Sequence, residues 1–514
     1  MTNRIVLLAT IFASTLAAQA PAPPPTFDAT DVRPIANDAL TSTFRRGGML
    51  RGNRYELRNA TMIDLISVAY AMDAQRITDG PSWLEFNRFD IAGLAPAGTP
   101  PERLRLMLQA LLADRFKLVV RNATRPMQGY ALKRGPGSPA LVPASNGPSD
   151  CQASSQKDAN GVFTTITCRN TTMSAFADAL PRLAEPSISP PIVVDMTELK
   201  GAFDFTVKWT PAMRVGDAIA TQLGLTLEPQ EVSAAVLQVE SANLQPSANA
   251  PDLAAKMPPL PPPAFEVAAV RPSPPDAATQ LRMRPNGQVD VSGVPLRLLI
   301  AMGWGLPNPP DGFIEGPAWL ESRRFDITAR AFADTGGNPD VDQDVVRQMI
   351  RTLVAERFQM KARFETRPVN ALALTAGKPK LTKADPSRRT RCANVTTARS
   401  NNPNLLSQAR VIACQNMTME EFAALLPNLA ADVRTQVADL TGIQGRWDFT
   451  LTFSPLSAMQ RGAGSGAAGV AADPTGMQSV FESVDRDLGL KLDRRSRPAQ
   501  VLVIDSISET PTND

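Results

Sequence analysis

Histidine is absent from all 514 residues of this chain. Imidazole is the commonest general base and metal ligand at neutral pH, so its absence excludes whole reaction classes. The chain cannot form a Ser-His-Asp or Cys-His nucleophile, a His-Glu-x-x-His zinc site or a mixed Cys/His zinc site. The composition therefore predicts no catalytic residues, no cofactor and no metal ion. A hydrolase that uses carboxylates, lysine, tyrosine or activated serine stays open.

A strong net charge is also missing. The chain has 53 lysines and arginines against 50 aspartates and glutamates, a formal net charge of +3. No overall field is available to hold nucleic acid or an anionic membrane. After the amino terminus, no apolar run approaches the roughly 20 residues of a membrane span. We therefore expect no nucleic-acid partner and no transmembrane span in the mature chain.

The first 20 residues have the pattern of an export signal. Arg4 supplies the positive start, residues 5–16 form an apolar segment, and Ala18-Gln19-Ala20 has the small-x-small form of a cleavage site. Pro21 directly after this site disfavours signal peptidase, so an uncleaved anchor stays open. The pattern predicts a periplasmic or secreted protein whose partner is an envelope protein or polymer.

The remaining sequence contains two copies of one unit. Matching strings occur in the same order in both copies, as expected of an internal duplication. They are residues 27–34 and 265–272, 80–84 and 316–320, 88–91 and 324–327, 115–116 and 357–358, 124–126 and 366–368, 194–205 and 438–449, 223–227 and 488–492, and 236–239 and 501–504.

Proline-rich and glycine-rich segments give the boundaries of the units. Prolines crowd residues 246–263, which predicts an extended, semi-rigid linker. Residues 462–472 are rich in glycine and alanine and predict a flexible insertion. In chain order we expect a signal peptide at 1–20, a proline-rich linker at 21–26, unit 1 at 27–245, a proline-rich linker at 246–263, unit 2 at 264–508 and a tail at 509–514.

Helix and strand patterns interleave within each unit. Residues 101–116 carry apolar side chains at helical spacing, and the second copy repeats the pattern at 345–353. Each helix runs into a strand that we expect to end at an Arg-Pro step, because proline cannot donate to a ladder. Three Asn-x-Thr-Met strings read as helix starts. The order predicts an α+β fold, each unit ending in a small helix-strand subdomain.

On these strings, the chain resembles the Solibacter-type paralogous family of acidobacterial exported proteins, which is built on a domain of unknown function. The resemblance covers residue 27 to about residue 508. It implies export and provides no catalytic residues to carry over, and the tandem arrangement departs from the usual single unit. The carboxy-terminal part of each unit also resembles the small domain at the amino termini of secretins and outer-membrane transducers, an analogy of pattern alone.

The four cysteines fall two to a unit, at Cys151 and Cys168 and at Cys392 and Cys414. Each pair encloses a polar loop just before an Asn-x-Thr-Met string. In an exported protein, even numbers in matching positions predict disulfides. Closing loops of this size would stabilise each unit by roughly 3 kcal/mol in the chain-entropy model.

Four repeated aspartates are the candidates for carboxylate chemistry of the glycosidase type: Asp90, Asp204, Asp326 and Asp448. Each lies between two hydrophobic residues. This alternation is typical of a half-buried strand whose hydrophobic side chains point inward and whose acid points outward, and we prefer that structural interpretation.

Two repeated tryptophans are candidates for a binding surface. Trp83 and Trp319 follow a Gly-Pro turn in each unit and could offer a stacking face to a sugar or peptide. A core anchor beneath the turn is the preferred alternative.

The duplication and the lack of a catalytic motif together favour a non-catalytic binding module of the envelope or the secreted space. The secretin-like pattern keeps open a structural or assembly partner of an envelope complex, and a histidine-independent hydrolase is the second alternative. Two like units would increase avidity if both reach the target at once.

We predict one disulfide within each unit. Peptide mapping of exported protein without reduction should find Cys151 linked to Cys168 and Cys392 linked to Cys414, because each pair lies in the same register of its unit. A link between the units, or free thiols in exported material, would contradict the prediction.

Overall fold

The computed structural model describes most of the chain after residue 23. The described residues are 24–35, 46–144, 147–158, 161–184, 188, 191–210, 213–258, 262–274, 276–283, 288–306, 312–331, 343–385, 388–394, 410–430, 432–433, 435, 437–454 and 478–512. The predicted signal peptide 1–20 and insertion 462–472 lie outside them. The fold is mixed α+β, which confirms the predicted class.

Unit 1 consists of two lobes with the same order of elements. The N-lobe contains β1 (Ala29–Ile35), β2 (Arg46–Arg51), β3 (Arg54–Thr61), α1 (Met62–Tyr70), β4 (Ile77–Thr78), β5 (Arg88–Leu94), α2 (Pro101–Phe116) and β6 (Val119–Arg134). The C-lobe contains β7 (Val142–Pro143), β8 (Asp150–Asp158), β9 (Gly161–Thr172), α3 (Met173–Leu183), β10 (Val193–Asp195), β11 (Ala202–Trp209), α4 (Val215–Leu223) and β12 (Leu225–Ser241). Short 3₁₀ turns flank β4 at Ala74–Arg76 and Ser82–Glu85.

Unit 2 repeats this order after a short linker helix, α5 (Leu253–Lys256). Its N-lobe contains β13 (Val267–Pro272), β14 (Gln280–Met283), β15 (Gln288–Pro295), α6 (Leu296–Trp304), β16 (Ile314–Glu315), α7 (Trp319–Ser322), β17 (Arg324–Arg330), α8 (Gln343–Arg357) and β18 (Lys361–Ala376). Its C-lobe contains β19 (Thr382–Lys383), β20 (Arg391–Asn394), β21 (Arg410–Met417), α9 (Met419–Leu429), β22 (Val437–Asp439), β23 (Trp447–Phe453), α10 (Val480–Leu488) and β24 (Leu490–Ser506).

Each lobe has a four-stranded antiparallel sheet, and all four sheets have the same topology. The strand order is β1-β5-β3-β2 in the first N-lobe and β7-β11-β9-β8 in the first C-lobe, and unit 2 repeats both. Four lobes of one plan therefore follow each other along the chain, whereas the sequence strings had indicated only two units.

A long antiparallel ribbon joins the two lobes of each unit. In unit 1, β6 pairs with β12 along their whole length, and in unit 2 β18 pairs with β24 in the same way. The short parallel strand of each lobe adds to the long strand that follows the other lobe, β4 beside β12 and β10 beside β6. The lobes are thus interlocked about a pseudo-twofold axis.

Each lobe has its own core, centred on an edge-to-face pair of phenylalanines. The ring centroids lie 4.8 to 4.9 Å apart, the geometry that such pairs prefer. The pairs are Phe89 with Phe116, Phe176 with Phe205, Phe325 with Phe358, and Phe422 with Phe449. The ribbon contributes to both cores of a unit, for example Leu237 to the N-lobe and Leu132 to the C-lobe.

The predicted end of a strand at the Arg-Pro step is wrong, because β6 continues through Pro126 to Arg134. The Tyr130 amide donates to the Ile192 carbonyl oxygen on the side of β10, at 2.8 Å. Alternation along the strand places the Pro126 nitrogen on that same side, beyond the end of β10. The missing N–H therefore costs no ladder bond.

The first half of the proline-rich segment packs against unit 1. The Ser247 amide donates to the Arg115 carbonyl oxygen at 2.8 Å, and the Asn249 side chain bonds to the backbone of Val32. The tail of unit 2 follows the same path, because the Thr512 amide donates to the Arg357 carbonyl oxygen at 2.7 Å.

The two units meet where the N-lobe of unit 1 contacts the C-lobe of unit 2. The Arg389 side chain, only 5% exposed, pairs with Glu85 and donates to the Ile77 carbonyl oxygen. Phe86 packs against the core of the second C-lobe, and Arg446 Nη2 lies 3.3 Å from Ser82 Oγ. A buried ion pair therefore specifies the junction between the units.

The repeats do not duplicate this junction. Alignment of Cys151 with Cys392 places Pro148 of unit 1 at the position of Arg389. In unit 2, the counterpart of Glu85 is Glu321, which pairs with Arg297 of its own lobe at 2.9 Å. The ion pair can thus form between the N-lobe of unit 1 and the C-lobe of unit 2, and it cannot form between the N-lobe of unit 2 and the C-lobe of unit 1.

We predict that each unit folds by itself. Fragments 24–258 and 262–512 should each unfold in one cooperative transition, because each keeps its two lobes and its ribbon. Circular dichroism during urea unfolding measures this. Broad, non-cooperative unfolding of both fragments would instead mean that the units share one core.

The contribution of the junction to stability can be tested with two neighbouring substitutions in the full-length chain. Arg389→Ala should lower the free energy of unfolding by about 3 kcal/mol, because it leaves the half-buried Glu85 without its partner. Arg388→Ala is the control, since Arg388 is half exposed and its ion pair with Asp448 contributes little.

Candidate functional site

Each of the four candidate aspartates lies in a different lobe and accepts the same kind of backbone hydrogen bond there. A register shift precedes each helix start, and the residue there has a positive φ of 44° to 60°. Its amide donates to the aspartate at 2.7 to 2.8 Å. The pairs are Asn59 with Asp90, Asn170 with Asp204, Gly293 with Asp326, and Asn416 with Asp448.

An arginine two residues before the aspartate completes the interaction in three lobes. Arg88 donates to the Asn59 carbonyl oxygen at 2.7 Å, and Arg324 and Arg446 make the same bond to their bulges at 2.6 Å. The first C-lobe has Ala202 at this position. We call this arrangement of arginine, aspartate and left-handed residue the bulge clamp. Burial lowers the pKa of Arg88, and the Asp64 carboxylate partly opposes that shift.

The bulge clamp gives each aspartate a structural role in addition to its position on the partly exposed face of a strand. The four carboxylates lie in four separate sheets, so the structure brings no two of them together as a catalytic pair. The sequence contained both halves of the clamp, the Asn-x-Thr-Met strings and the acidic strings, without showing that they meet.

The threonine of the Asn-x-Thr-Met strings caps the following helix, as predicted. Thr61 forms a capping box with Asp64, and Thr418 forms one with Glu421. Thr172 accepts a hydrogen bond from the Ala175 amide at 3.2 Å. Bulge and cap together fix the angle at which each helix leaves its sheet.

The cysteines lie opposite each other in hairpins at the edge of each C-lobe sheet. Disulfides join Cys151 to Cys168 between β8 and β9, and Cys392 to Cys414 between β20 and β21. The structure thus contains the two predicted pairs. Each crosslink fixes the register of an edge hairpin.

The two candidate tryptophans are half-buried at equivalent positions. Trp83 packs against the N-lobe core of unit 1, with its ring 6.3 Å from Phe89 at an interplanar angle of 74°. Trp319 packs against the corresponding core of unit 2. These contacts are those of a core anchor, and a stacking role for the exposed part of each ring stays a prediction.

A polar groove lies on the outer face of the first sheet of unit 2. Val289 and Val291 of β15 point into the core, so the alternate residues of the strand face outward. Gln288 Nε2 donates to Asp290 Oδ1 at 2.8 Å within the groove. We use the name polar groove for the residues that line it: Gln280, Arg282, Gln288, Asp290, Ser292 and Thr328.

Unit 1 has a different surface at the equivalent place. Arg54 and Arg58 both pair with Glu56, at 2.7 and 2.9 Å, and form a row of long, mutually satisfied side chains along β3. Gln288, Asp290 and Ser292 hold the same positions in unit 2 with shorter side chains. The polar groove thus has amide, hydroxyl and charged side chains, where unit 1 has three long side chains paired with one another.

Two findings on the described residues concern metal sites and membrane-spanning helices. Among the residues that the structure describes, no group of three or more cysteine, aspartate or glutamate side chains could hold a metal ion. In the same residues, no helix has the length and the apolar character that a membrane crossing requires.

Comparison with known proteins identifies the repeat. The model of one family, described as a protein of unknown function (DUF3738), matches residues 63–242 and residues 297–507. No curated protein matches the chain, and no solved structure matches it. The two matched ranges fall within the two units.

The bulge clamp predicts that the partly exposed Asp90 contributes strongly to the free energy of unfolding. Asp90→Ala should lower the free energy of unfolding by about 2 kcal/mol, because the buried Asn59 amide loses its charged acceptor. Asp114→Ala is the control at an exposed acid that makes one long ion pair, and we expect a change below about 0.5 kcal/mol. Equal effects of both substitutions in urea unfolding would contradict the clamp.

Proposed function

Since the chain belongs to the DUF3738 family as a tandem pair, we propose that it is a non-catalytic binding module of the cell envelope or the secreted space. The observation that carries the proposal is the polar groove, whose short side chains stand where unit 1 has the paired row of Arg54, Glu56 and Arg58. A duplicated frame has kept its core and its bulge clamps while its outer face has changed. A change of surface side chains on a retained frame is what selection for binding produces.

The disulfides support an exported location. Structural disulfides persist in the periplasm and outside the cell, whereas the cytosol keeps thiols reduced. The export signal predicted at residues 1–20 points the same way.

The groove chemistry favours a polar ligand of mixed character. Arg282 supplies a cation, Asp290 an anion, and the amide and hydroxyl side chains supply both donors and acceptors. A polar polymer or a peptide of the envelope fits this set better than a purely apolar or purely anionic molecule.

Binding without turnover is the expected result. The mature chain, assayed with glycan, peptide and ester substrates, should show no product, and Asp204→Asn and Asp448→Asn should leave that result unchanged. Turnover in the wild type that either substitution abolishes would replace the binding module with a histidine-independent hydrolase.

The groove itself has a direct test on arrays of envelope glycans and peptides. Arg282→Ala with Asp290→Asn should weaken any ligand bound by the wild type at least tenfold. Arg105→Ala, which removes an exposed arginine from α2, is the control and should leave binding unchanged. A ligand unaffected by the groove variant would place binding elsewhere.

A further inference from the structure

One end of the ribbon in unit 2 carries a row of basic side chains. β24 begins at Leu490, and four of the next seven residues are cations. We call these four residues the basic row: Lys491, Arg494, Arg495 and Arg497. Asp493 is the one acid among the same seven residues. At about 3.3 Å per residue, the row extends along about 20 Å of the strand.

The cations of the basic row reach solvent. Three of them are exposed, and Arg497 is half-buried. The residues paired with them on β18 carry no charge: Thr375, Leu372, Ala371 and Val369. The Asp493 carboxylate accepts a hydrogen bond from Thr375 Oγ1 at 2.8 Å. Within the described part of the chain, none of the four cations makes an ion pair with a carboxylate.

The other end of the same ribbon is neutralised by its own acids. Arg363 and Arg367 of β18 both pair with Glu365. Arg363 also pairs with Asp505, and Arg367 also pairs with Glu315 at 2.8 Å. The basic row lacks such acids at its paired positions, so its charge is available to a partner.

The equivalent stretch of unit 1 has none of these cations. β12 pairs with β6 from Leu225 as β24 pairs with β18 from Leu490, so the two ladders align residue by residue. Neutral residues take the four places: Thr226, Pro229, Gln230 and Val232. The stretch also contains two acids, Glu228 and Glu231. The same strand of the fold therefore has the opposite charge in the two units.

The cations that unit 1 has at this end of its ribbon are bonded within the unit. Lys133 pairs with Glu228 at 2.7 Å, and Arg134 donates to the Thr197 carbonyl oxygen at 2.7 Å. Their counterparts in unit 2 are Thr375 and Ala376. Unpaired positive charge at this place is thus a property of unit 2.

Two lysines extend the positive surface beyond the start of β24. Lys378 and Lys380 lie in the loop after β18, where the Lys380 amide donates to the Leu488 carbonyl oxygen at 2.8 Å. The Ala140 amide makes the same bond in unit 1, which aligns Lys378 with Ser138. Both lysines are exposed. Unit 1 is neutral at both places.

The shape of the basic row favours a flexible, linear anion. Arginine presents a planar fork of N–H donors that binds a carboxylate or phosphate group by two parallel bonds. Strand alternation puts Arg494 on the opposite face of the ribbon from Arg495 and Arg497. A flat lipid surface contacts one face of a sheet, whereas a polymer chain can follow cations that reach both faces.

We propose that the basic row binds an acidic polysaccharide of the envelope, through ion pairs between its cations and the carboxylate groups that recur along the polymer. The disulfides and the predicted export signal favour an envelope polymer over a nucleic acid. The inference rests on the proposed binding role. It uses a surface separate from the polar groove, which lies on the N-lobe sheet of the same unit.

A fluorescein-labelled oligogalacturonate is the probe, titrated with the mature chain and followed by fluorescence anisotropy. We expect saturable binding that weakens as salt is added, because salt screens exposed charges. A labelled neutral dextran should not bind. Lys491→Gln with Arg494→Gln and Arg495→Gln should weaken binding of the oligogalacturonate at least tenfold, because three cations that pair with the polymer are lost.

A control variant removes the same charge elsewhere. Arg33→Gln with Arg103→Gln and Lys117→Gln replaces three exposed cations of unit 1 and should weaken binding less than about twofold. All six side chains are exposed, so neither variant removes a core contact. Equal weakening by both variants would mean that net charge alone attracts the polymer, and that result or a lack of binding by the wild type would overturn the proposal.

Two other polyanions identify the class of partner. Vesicles of phosphatidylglycerol and single-stranded DNA are titrated under the same conditions. Tighter binding of either than of the oligogalacturonate would overturn the proposal in favour of a membrane or a nucleic acid. A neutral ligand of the polar groove should keep its affinity when the basic row is substituted, so failure here is distinguishable from failure of the proposed function.

Discussion

Pairing of two long strands holds each unit together, and the rest of the fold depends on it. β6 and β12 lie side by side for about 16 residues, so each lobe packs on strands from both halves of the unit. The short strands β4 and β10 then cross to the opposite long strand. Each lobe therefore needs strands that the other lobe delivers, which is why we expect a pair of lobes, and not a single lobe, to fold independently.

Within each lobe, the bulge clamp stabilises the point where a strand leads into a helix. A bulge places a residue in the left-handed region, which costs free energy for any residue except glycine. The aspartate of the neighbouring strand compensates by accepting a hydrogen bond from the bulge amide, and in three lobes a threonine two residues later caps the helix. Asparagine tolerates this conformation best among other residues, and Gly293 replaces it in one lobe. The same requirement repeated four times explains why the acids recur without any catalytic need.

The differences between the units indicate where function resides. The shared elements are cores, caps and clamps, which stability alone explains. The features described in one unit alone include the Arg389 junction and the polar groove. Burial of Arg389 against Glu85 joins the N-lobe of unit 1 to the C-lobe of unit 2, while the polar groove faces solvent.

The sequence by itself determined the duplication, the helix at residues 101–116, the caps at Thr61 and Thr418 and the pairing of the cysteines, because these follow from local periodicity and matched positions. Only the tertiary structure decided that β6 passes through Pro126, since a missing N–H matters only where a neighbouring strand requires it. It also decided that Asp90 accepts the bulge amide, that each unit consists of two lobes of one plan, and that Glu85 contacts Arg389. Those depend on which distant residues meet, and a one-dimensional pattern does not contain that information.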